Sequence, residues 1–448
     1  MARRRSCRLD TAKPHPTIRN VGQRGTDFAW ADEPLAADPY VQLVRRQLED
    51  PGIFEGTPER ARARHEALLH PYLGFFLRHD RGGYYESLFR RKGLLDESAA
   101  EPAVRDDVRL EDLVRLRIHS DDLRGERGQR RRLTGPAADA EPRGKVFTSS
   151  GTTGNDDGPV TIVRSPLQLH FMALAVGSHA EWAIGFPIEG AMTLMQSTPA
   201  MAQSVGMPYV VSDAFRAFGA HDIVFGARMR DDPDEPNPWR RIEPDVGELQ
   251  RFLAASAPGR IAMFPTPLLA ALAADPAALR KISLDGEPFV DLGENGVLFT
   301  GGGLKTASAF STMDELLEAA HVAFRSRRDG ELVGAPIMDG LGLTETSLFF
   351  FPKAGPPGDE RTQIKVPHPL SYVGMLDSPQ RLELAPDDEF GRDRLLLYVN
   401  FACVDYLEAI VPGDVVSRRS TPDVYQDGFV YVRRAASDEG FQIREGCG

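Results

Sequence analysis

The segment FTSSGTTG, from Phe147 to Gly154, is the stretch of this 448-residue sequence that decides how the rest of the chain is interpreted. Glycine lets the backbone approach an anion closely, and serine and threonine hydroxyls donate hydrogen bonds to it. A Walker P-loop is excluded, because that pattern needs a lysine directly after its second glycine and Asn155 follows Gly154. A solvated turn is the ordinary interpretation of a shorter fragment, but eight residues in this order predict a grip on nucleotide phosphates. The residues predicted to bind the phosphates are Ser149, Ser150, Gly151, Thr152, Thr153 and Gly154.

The composition excludes several classes of protein. The net charge of −12 and the pI near 5.4 argue against a general nucleic-acid or anionic-membrane binder, because such surfaces need an excess of lysine and arginine. Cys7, Cys403 and Cys447 are widely separated and match no zinc-binding spacing. No uncharged apolar run is long enough to cross a bilayer. We therefore expect a cytoplasmic protein without a membrane span and without a nucleic-acid partner.

The chain divides into four segments by composition and periodicity. Residues 1–35 are rich in arginine, glycine and proline without periodicity, and we expect a flexible arm. Residues 36–143 show helical spacing and end in a polar connector. Residues 144–390 alternate short apolar runs with helical stretches, which predicts an α/β core. Residues 391–448 are richer in strand-forming residues and predict a small β-rich subdomain with a tail.

The apolar runs of the α/β core end in turns rich in glycine or serine. In open α/β sheets, ligands collect where the strands end in such loops. One of these loops is TGGGLK, from Thr300 to Lys305, in which Gly301, Gly302 and Gly303 would let a flat ring or a phosphate lie on the backbone. Lys305 adds a cation. A flexible turn between a strand and a helix is an equally good interpretation of this segment alone.

The segment DGLGLTE, from Asp339 to Glu345, also follows an apolar run. Thr344 and Glu345 place a hydroxyl beside a carboxylate, a pairing that suits Mg²⁺ held together with substrate phosphates. The alternative is the start of a helix, with Thr344 as its N-cap and Glu345 in the first turn. Further along the chain, Asp414 in the sequence PGD is either an ordinary turn residue or an acceptor for two ribose hydroxyls.

The motifs FTSSGTTG, TGGGLK, DGLGLTE and PGD, in this order, resemble those of the acyl-adenylate-forming superfamily. Within it, the chain is most similar to the acyl-protein synthetases, also called long-chain-fatty-acid protein ligases. That narrower likeness rests on TGGGLK, on KVPHPLSYVGMLD from Lys365 to Asp377 and on the glycine and cysteine at 446 and 447. It covers roughly residues 60–448. The resemblance implies a large adenylate-forming domain of mixed sheets flanked by helices, with a small β-rich C-terminal subdomain.

The resemblance also implies ATP and Mg²⁺ as cofactors and a role for each motif. Ser149 to Gly154 would hold the β- and γ-phosphates, and Gly301 to Gly303 would border the adenine and acyl pocket. Glu345 would bind Mg²⁺, Thr344 the α-phosphate and Asp414 the ribose. The remaining nucleotide-binding residues that it implies are Asp339, Gly340, Leu341 and Gly342.

Three departures from the superfamily pattern narrow these expectations. Leu341 stands where an aromatic residue usually packs on adenine, and no lysine follows the phosphate loop. Only 34 residues, 415 to 448, follow Asp414, so we expect the full C-terminal lid domain to be absent. A cation of the main domain would then serve adenylation, with Lys305 the first candidate and Arg434 the second. Cys447, near the C-terminus, is a candidate acyl acceptor, and an inert tail is the alternative.

Three functions follow from these patterns. The leading one is ATP-dependent activation of a carboxylic acid as acyl-AMP, with acyl transfer to a protein thiol or a small nucleophile. The partner would then be an acyl-accepting protein such as a reductase or carrier. The second is an acyl- or aryl-CoA ligase or an amide ligase of the same superfamily, and the third is a nucleotide-binding scaffold with impaired catalysis. Two apolar runs, at 264–269 and 349–351, suggest a fatty or other apolar acid, although both runs could equally belong to the core.

Overall fold

The computed structural model describes most of the chain between Glu33 and Ala435. The described residues are 33–123, 128–148, 160–232, 241–301, 309–343, 345–378, 380, 383–387, 389–421 and 424–435. The segment from 1 to 32, which includes most of the expected arm, lies outside these ranges.

Helices and strands both occur through these ranges, which confirms the α/β fold class expected from the sequence. The α-helices are α1 (Pro39–Leu48), α2 (Pro58–Arg78), α3 (Tyr84–Arg91), α4 (Gly135–Ala140), α5 (Pro166–Ile184), α6 (Met201–Ser204), α7 (Gly206–Ala217), α8 (Val246–Ala254), α9 (Thr266–Ala273), α10 (Pro276–Ile282) and α11 (Met313–Ala323). The strands are β1 (Ile118–His119), β2 (Lys145–Thr148), β3 (Thr161–Arg164), β4 (Met192–Met195), β5 (Asp222–Phe225), β6 (Ala227–Met229), β7 (Ile242–Pro244), β8 (Arg260–Pro265), β9 (Val290–Glu294), β10 (Gly296–Gly301), β11 (Phe324–Arg328), β12 (Glu331–Gly334), β13 (Ile337–Gly340), β14 (Ser371–Leu376), β15 (Asp393–Asn400), β16 (Ala409–Val411), β17 (Asp414–Arg419) and β18 (Gly428–Arg434).

Side-chain caps define where several helices begin. Asp38 accepts hydrogen bonds from the backbone N–H groups of Tyr40 and Val41 at the start of α1, and Ser165 accepts one from Gln168 at the start of α5. Both helices also carry a proline in their first turn, where its missing N–H costs nothing. The start of α5 therefore comes directly after β3, with Ser165 as the only residue between them.

Five parallel strands form the central sheet, in the order β13-β10-β8-β4-β5. Residues along each strand alternate between its two faces. Ile261 and Met263 of β8 pack in a core with α5 and α7, whereas Ala262 and Phe264 pack in a second core with α8, α9, α10 and α11. A parallel sheet covered on both faces explains why its strands are almost continuously apolar.

A second sheet contains six strands, and β15 pairs with three of the others. Strand β14 pairs antiparallel with one edge of β15, while β16 and β17 pair with successive parts of the other edge. Strand β18 continues the sheet from β17, and β1 joins β16 in parallel. Two strands of this sheet, β1 at 118–119 and β14 at 371–376, precede the β-rich segment 391–448. The C-terminal strands therefore form a larger sheet than the local sequence indicates.

The hydroxyl segment FTSSGTTG begins in a two-stranded ladder. Strands β2 and β3 pair antiparallel, with Thr148 opposite Thr161 and Lys145 opposite Arg164. The segment from 149 to 159 between the two strands lies outside the described residues. Both of its flanking strands are nevertheless placed, and β3 ends at Arg164 inside the core.

No helix in the part of the chain that the structure describes is long and apolar enough to cross a membrane.

Three buried histidines join separate sections of the fold. His65 lies on α2, His179 on α5, and His368 in the segment before β14. Burial lowers the pKa of His65 to about 4 and that of His368 to about 3. Burial also lowers the pKa of His179, whose Nε2 lies 3.1 Å from the hydroxyl of Tyr425. The fold therefore holds all three rings in the neutral form at pH 7.

We predict that the free energy of unfolding falls as the pH drops from about 6.5 to about 4. The unfolded histidines take up protons below about 6.5, while the folded rings of His65 and His368 stay neutral down to about 4 and 3. Each such histidine adds about 1.4 kcal/mol of destabilisation per pH unit in this range. Urea unfolding at several pH values measures how the free energy of unfolding depends on pH. His179→Phe should reduce this slope by about 1.4 kcal/mol per pH unit, the contribution of one proton. Parallel slopes for the two proteins would contradict this assignment.

Candidate functional site

Two of the motifs singled out in the sequence meet at the carboxyl edge of the parallel sheet. Strand β10 ends in Thr300-Gly301 and β13 ends in Asp339-Gly340. Their register places Thr300 opposite Asp339 and Gly301 opposite Gly340. Thr266, which begins α9 after the neighbouring strand β8, donates its hydroxyl to the carbonyl of Gly301 at 2.8 Å. The segments TGGGLK and DGLGLTE therefore start side by side, although their first residues lie 39 positions apart in the sequence.

The glycines of this edge are required by close packing. A methyl group on Gly301 would lie 2.8 Å from the carbonyl oxygen of Gly340, and one on Gly340 would lie 2.7 Å from the ring of Phe299. A methyl group on Gly342 would lie 2.6 Å from the ring of Phe349. These distances are too short for any side chain. At these three positions the space beside the backbone is filled by the protein itself.

Asp339 forms a buried ion pair with Lys365. The Nζ of Lys365 donates to Oδ2 of Asp339 at 2.7 Å, and the two side chains are 5% and 9% exposed. Backbone hydrogen bonds in both directions join Lys365 to Phe429 of β18. The pair therefore links the carboxyl edge of the parallel sheet to the C-terminal sheet, and it places a cation beside the start of DGLGLTE.

The backbone after Gly340 folds back on itself. Leu341 and Phe350 exchange backbone hydrogen bonds of 3.0 and 2.9 Å. Leu341 is half-buried, whereas Phe350 is fully buried against the rings of Tyr398 and Phe429. The segment between these two residues carries the threonine and glutamate of the motif, and its Glu345 is described whereas its Thr344 is not.

Glu345 lies between the end of β3 and the segment before β16. Glu345 is 7% exposed. Its backbone carbonyl accepts hydrogen bonds from Nη2 of Arg164 at 3.1 Å and from the hydroxyl of Tyr406 at 2.8 Å. Among the described residues, no group of three or more histidines, cysteines, aspartates or glutamates is placed to hold a metal. A single carboxylate still fits Mg²⁺, because that ion takes one or two protein carboxylates and its other ligands from phosphate and water.

A buried ionic network surrounds Arg164. Its Nη1 lies 3.2 Å from Oε2 of Glu408 and 3.6 Å from Sγ of Cys403. Burial raises the pKa of the Cys403 thiol, and burial raises the pKa of Asp405 to about 6. Asp405 also accepts a hydrogen bond of 3.0 Å from the backbone N–H of Ser165. The segment 403–408 therefore binds the end of β3 and the start of α5.

Asp414 and Arg434 form an ion pair across the ladder of β17 and β18. They lie opposite each other in the register, and Nη1 of Arg434 donates to Oδ1 of Asp414. The side chain of Asp414 is 3% exposed and that of Arg434 is 33% exposed. The two candidate residues from the C-terminal section are thus in direct contact.

The structure brings together Gly301, Asp339, Gly340, Leu341 and Gly342 at the sheet edge, and Asp414 with Arg434 in the C-terminal sheet. Glu345 lies against Arg164 at the end of β3. The candidate residues that lie outside the described ranges are Ser149, Ser150, Gly151, Thr152, Thr153, Gly154, Gly302, Gly303, Lys305, Thr344 and Cys447.

Lys365 and Arg164 are the charged residues of this site that the sequence interpretation missed. Lys365 begins KVPHPLSYVGMLD, a segment noted for another reason, and Arg164 ends an apolar strand directly after the hydroxyl segment. For Arg164, the signal available in the sequence was a charged residue at the end of an apolar strand. Their partners were not readable, because Glu408 lies 244 positions after Arg164 and Asp339 lies 26 positions before Lys365.

The carboxyl end of β4 carries two further polar residues. Among the described residues, Gln196 and Ser197 have no hydrogen-bond partner for the side-chain amide or the hydroxyl, although they are 5% and 4% exposed. The backbone N–H of Gln196 donates to the carbonyl of Met263 on β8, so this end lies in the same edge of the sheet as Gly301. Burying such groups unpaired costs about 1–3 kcal/mol each, so a polar group bound here would relieve that cost.

The aromatic run 349–351 packs in the interior. Phe349 and Phe351 contact each other with ring centroids 6.0 Å apart, and Phe351 contacts His179 at 5.0 Å and Phe299 at 5.7 Å. Phe264, from the other apolar run, packs on Phe324 at 5.2 Å. These contacts belong to the two cores of the parallel sheet.

No protein-family model matches the sequence of this chain, and no curated protein matches it. Solved structures do match. The chain is 14% identical to 2-hydroxyisobutyryl-CoA ligase in an open conformation in complex with 2-HIB-AMP and CoA, with a TM-score of 0.56 over 86% of this chain and 76% of that chain.

The same ligase in two other states gives similar values. In the thioesterification state, with 2-HIB-AMP and CoA, the identity is 14% and the TM-score 0.55, over 87% of this chain and 71% of that chain. In the postadenylation state, with 2-HIB-AMP, the identity is 14% and the TM-score 0.56, over 86% and 69%. At this identity the likeness establishes the fold. The chain therefore has the fold of this CoA ligase, which is the fold class that the sequence led us to expect, while the acyl-protein synthetase assignment stays a prediction.

We predict that Lys365→Met destabilises the protein by about 3–5 kcal/mol, because it leaves the carboxylate of Asp339 buried without its cation. The double variant Lys365→Met with Asp339→Leu should recover most of this loss, since it removes both charges. Arg251→Met is the matched control: its ion pair with Asp222 is about half exposed, so its loss should cost less than about 1 kcal/mol. Urea unfolding measures all three. Equal effects of Lys365→Met and Arg251→Met would contradict the prediction.

Proposed function

We propose that this protein activates a carboxylic acid with ATP as an acyl-adenylate, releases pyrophosphate and transfers the acyl group to a thiol or a small nucleophile. The observation that carries the proposal is the register of β10 and β13. It places the segments that start at Thr300 and Asp339 side by side at the carboxyl edge of a parallel sheet, where such folds bind ligands. The fold is shared with a ligase whose solved structures contain an acyl-AMP.

In the proposed reaction, a carboxylate oxygen of the acid attacks the α-phosphorus of ATP. A new oxygen–phosphorus bond forms, the bond to the β-phosphate oxygen breaks, and pyrophosphate leaves with that electron pair. This step needs orientation and neutralisation of phosphate charge more than proton transfer. Ser149 to Gly154 would orient the β- and γ-phosphates, and Thr344 would donate its hydroxyl to the α-phosphate. Asp414 would accept hydrogen bonds from the ribose.

Glu345 would hold Mg²⁺ through its carboxylate, and the bound ion would neutralise charge on the phosphates. The chain's own contribution is the fixed backbone of Glu345, whose carbonyl is held by Arg164 and Tyr406. Lys305 and Arg434 are the proposed cations. Arg434 is supported by its ion pair with Asp414, which keeps its guanidinium beside the proposed ribose site.

Two kinds of acid and two kinds of acyl acceptor fit the proposed reaction. A fatty or other apolar acid is in keeping with the apolar walls of the sheet. An acid with a polar group near the carboxyl is favoured instead by the side chains of Gln196 and Ser197, which find no hydrogen-bond partner among the described residues. For the acceptor, Cys447 or a partner protein is proposed first, within a reductase or carrier system. CoA is the second candidate, because the solved structures of similar fold contain CoA.

We predict that the protein releases pyrophosphate when ATP, Mg²⁺ and the correct acid are supplied together. The assay uses a panel of straight-chain, aryl and hydroxy acids, read as relative rates. Glu345→Gln should reduce the rate by about 10–100-fold, since it removes a metal-binding charge. Glu318→Gln, a change on the exposed face of α11, should leave it unchanged. Binding of ATP without pyrophosphate release for any acid would favour the scaffold function.

A second prediction concerns the acyl acceptor. With labelled acid and ATP, label should attach covalently to the protein and be released by neutral hydroxylamine, as expected for a thioester on Cys447. Cys447→Ser should abolish the hydroxylamine-sensitive label while pyrophosphate release in the first turnover continues. Equal labelling of both proteins would remove Cys447 from the reaction. Label that appears only on added CoA would identify the second candidate.

A further inference from the structure

Arg164 is a fully buried arginine at the end of β3. That strand begins at Thr161, seven positions after Gly154, the last residue of the hydroxyl segment. The side chain of Arg164 is 1% exposed and that of its partner Glu408 is 0% exposed. Charges buried so deeply are costly to fold, and apolar residues of similar volume are often at least as stable. Stability alone is therefore a poor explanation of this pair.

The hydrogen bonds of Arg164 show what else it does. Its Nη2 donates to the backbone carbonyl of Glu345 at 3.1 Å, while its Nη1 is engaged by Glu408 at 3.2 Å. The guanidinium also lies over the ring of Tyr406, 5.4 Å from the centroid. The rigid fork of an arginine can make two such contacts at once in a fixed geometry.

The backbone on both sides of Thr346 is held by the same network. The hydroxyl of Tyr406 donates to the Glu345 carbonyl at 2.8 Å, so this carbonyl has two donors. Glu408 accepts from the backbone N–H of Ser347 at 2.7 Å and from its hydroxyl at 2.6 Å. Two fixed points, at 345 and 347, restrict the backbone torsions between them. They also set the direction in which the side chain of Glu345 leaves the main chain.

We propose that Arg164 is a positioning residue for the adenylation reaction. It fixes the backbone of Glu345 through the carbonyl, so that the carboxylate is already oriented for Mg²⁺–ATP, and Tyr406 shares this role. This inference rests on the function proposed above. It adds that one guanidinium joins the end of β3 to the backbone of the threonine–glutamate segment, which keeps these two elements in a fixed relation.

The test compares three changes that affect different parts of the network. Tyr406→Phe removes one donor to the Glu345 carbonyl and leaves the ion pair intact. Arg164→Met combined with Glu408→Leu removes both charges of the ion pair together. Arg164→Lys keeps the charge, and a lysine that can still reach the carbonyl should restore part of the effect. Two matched controls are Tyr398→Phe, which removes a buried hydroxyl bonded to Ser371, and Arg260→Met. Arg260 is a buried arginine at the amino end of β8 that donates to the backbone carbonyls of Leu292 and Leu253.

The main measurement is ATP binding by calorimetry with Mg²⁺ and with EDTA. Tyr406→Phe and the Arg164–Glu408 double variant should weaken Mg²⁺-dependent ATP binding by about tenfold, the lower end of the effect of losing a residue that orients a metal ligand. Their affinity for ATP in EDTA should change by less than about twofold, since the remaining phosphate contacts persist. The Mg²⁺ concentration for half-maximal pyrophosphate release should rise by the same factor. Both control variants should match the wild type.

Variants with wild-type thermal stability and wild-type Mg²⁺ dependence would overturn the inference. If the double variant does not fold, the Tyr406→Phe variant tests the inference, because it leaves the ion pair of Arg164 and Glu408 intact. Wild-type protein that binds Mg²⁺–ATP but releases no pyrophosphate with any acid would refute the proposed reaction, while the binding measurements would still decide the role of Arg164. Wild-type protein that binds no ATP would refute both.

Discussion

The buried ion pair between Arg164 and Glu408 is the interaction on which the arrangement of the site depends. Neither charge can reach water, so each must be satisfied by the protein, and this requirement brings their elements together. The pair joins the end of β3, the segment after β13 and the segment before β16 at one point. These three elements come from distant parts of the chain. Their meeting holds the backbone carbonyl of Glu345 between Arg164 and Tyr406.

The parallel sheet supplies the other constraint. Its strands are covered by helices on both faces, so the ends of the strands are the places where it can bind a ligand. The register of β10 and β13 sets Gly301 beside Gly340, and the close contacts there leave no room for a side chain. The ion pair of Asp339 with Lys365 then ties this edge to β18, because Lys365 exchanges backbone hydrogen bonds with Phe429. Phe429 belongs to the strand that ends at Arg434. The two sheets are thus held together by charges at the candidate site.

Much of the fold could be read from the sequence, because its signals are local. Alternating apolar runs and helices predicted the α/β class, and glycine-rich turns predicted where the strands ending at Gly301 and Gly340 would stop. The extent of the C-terminal sheet could not be read, because β1 and β14 join it from other segments. The site was predicted as a set of motifs. The partners of Asp339 and Glu345 were not, since each pairs with a residue far away in sequence.

The sequence by itself determined the order of the motifs, the residue types that can grip phosphate, and the excess of acidic charge that argues against nucleic acid as a partner. Those properties depend on composition and short-range spacing. Only the tertiary structure decided that Lys365 would neutralise Asp339 and that Arg164 would hold the carbonyl of Glu345. The partner of a buried charge is set by which elements pack against it. That packing depends on the whole chain.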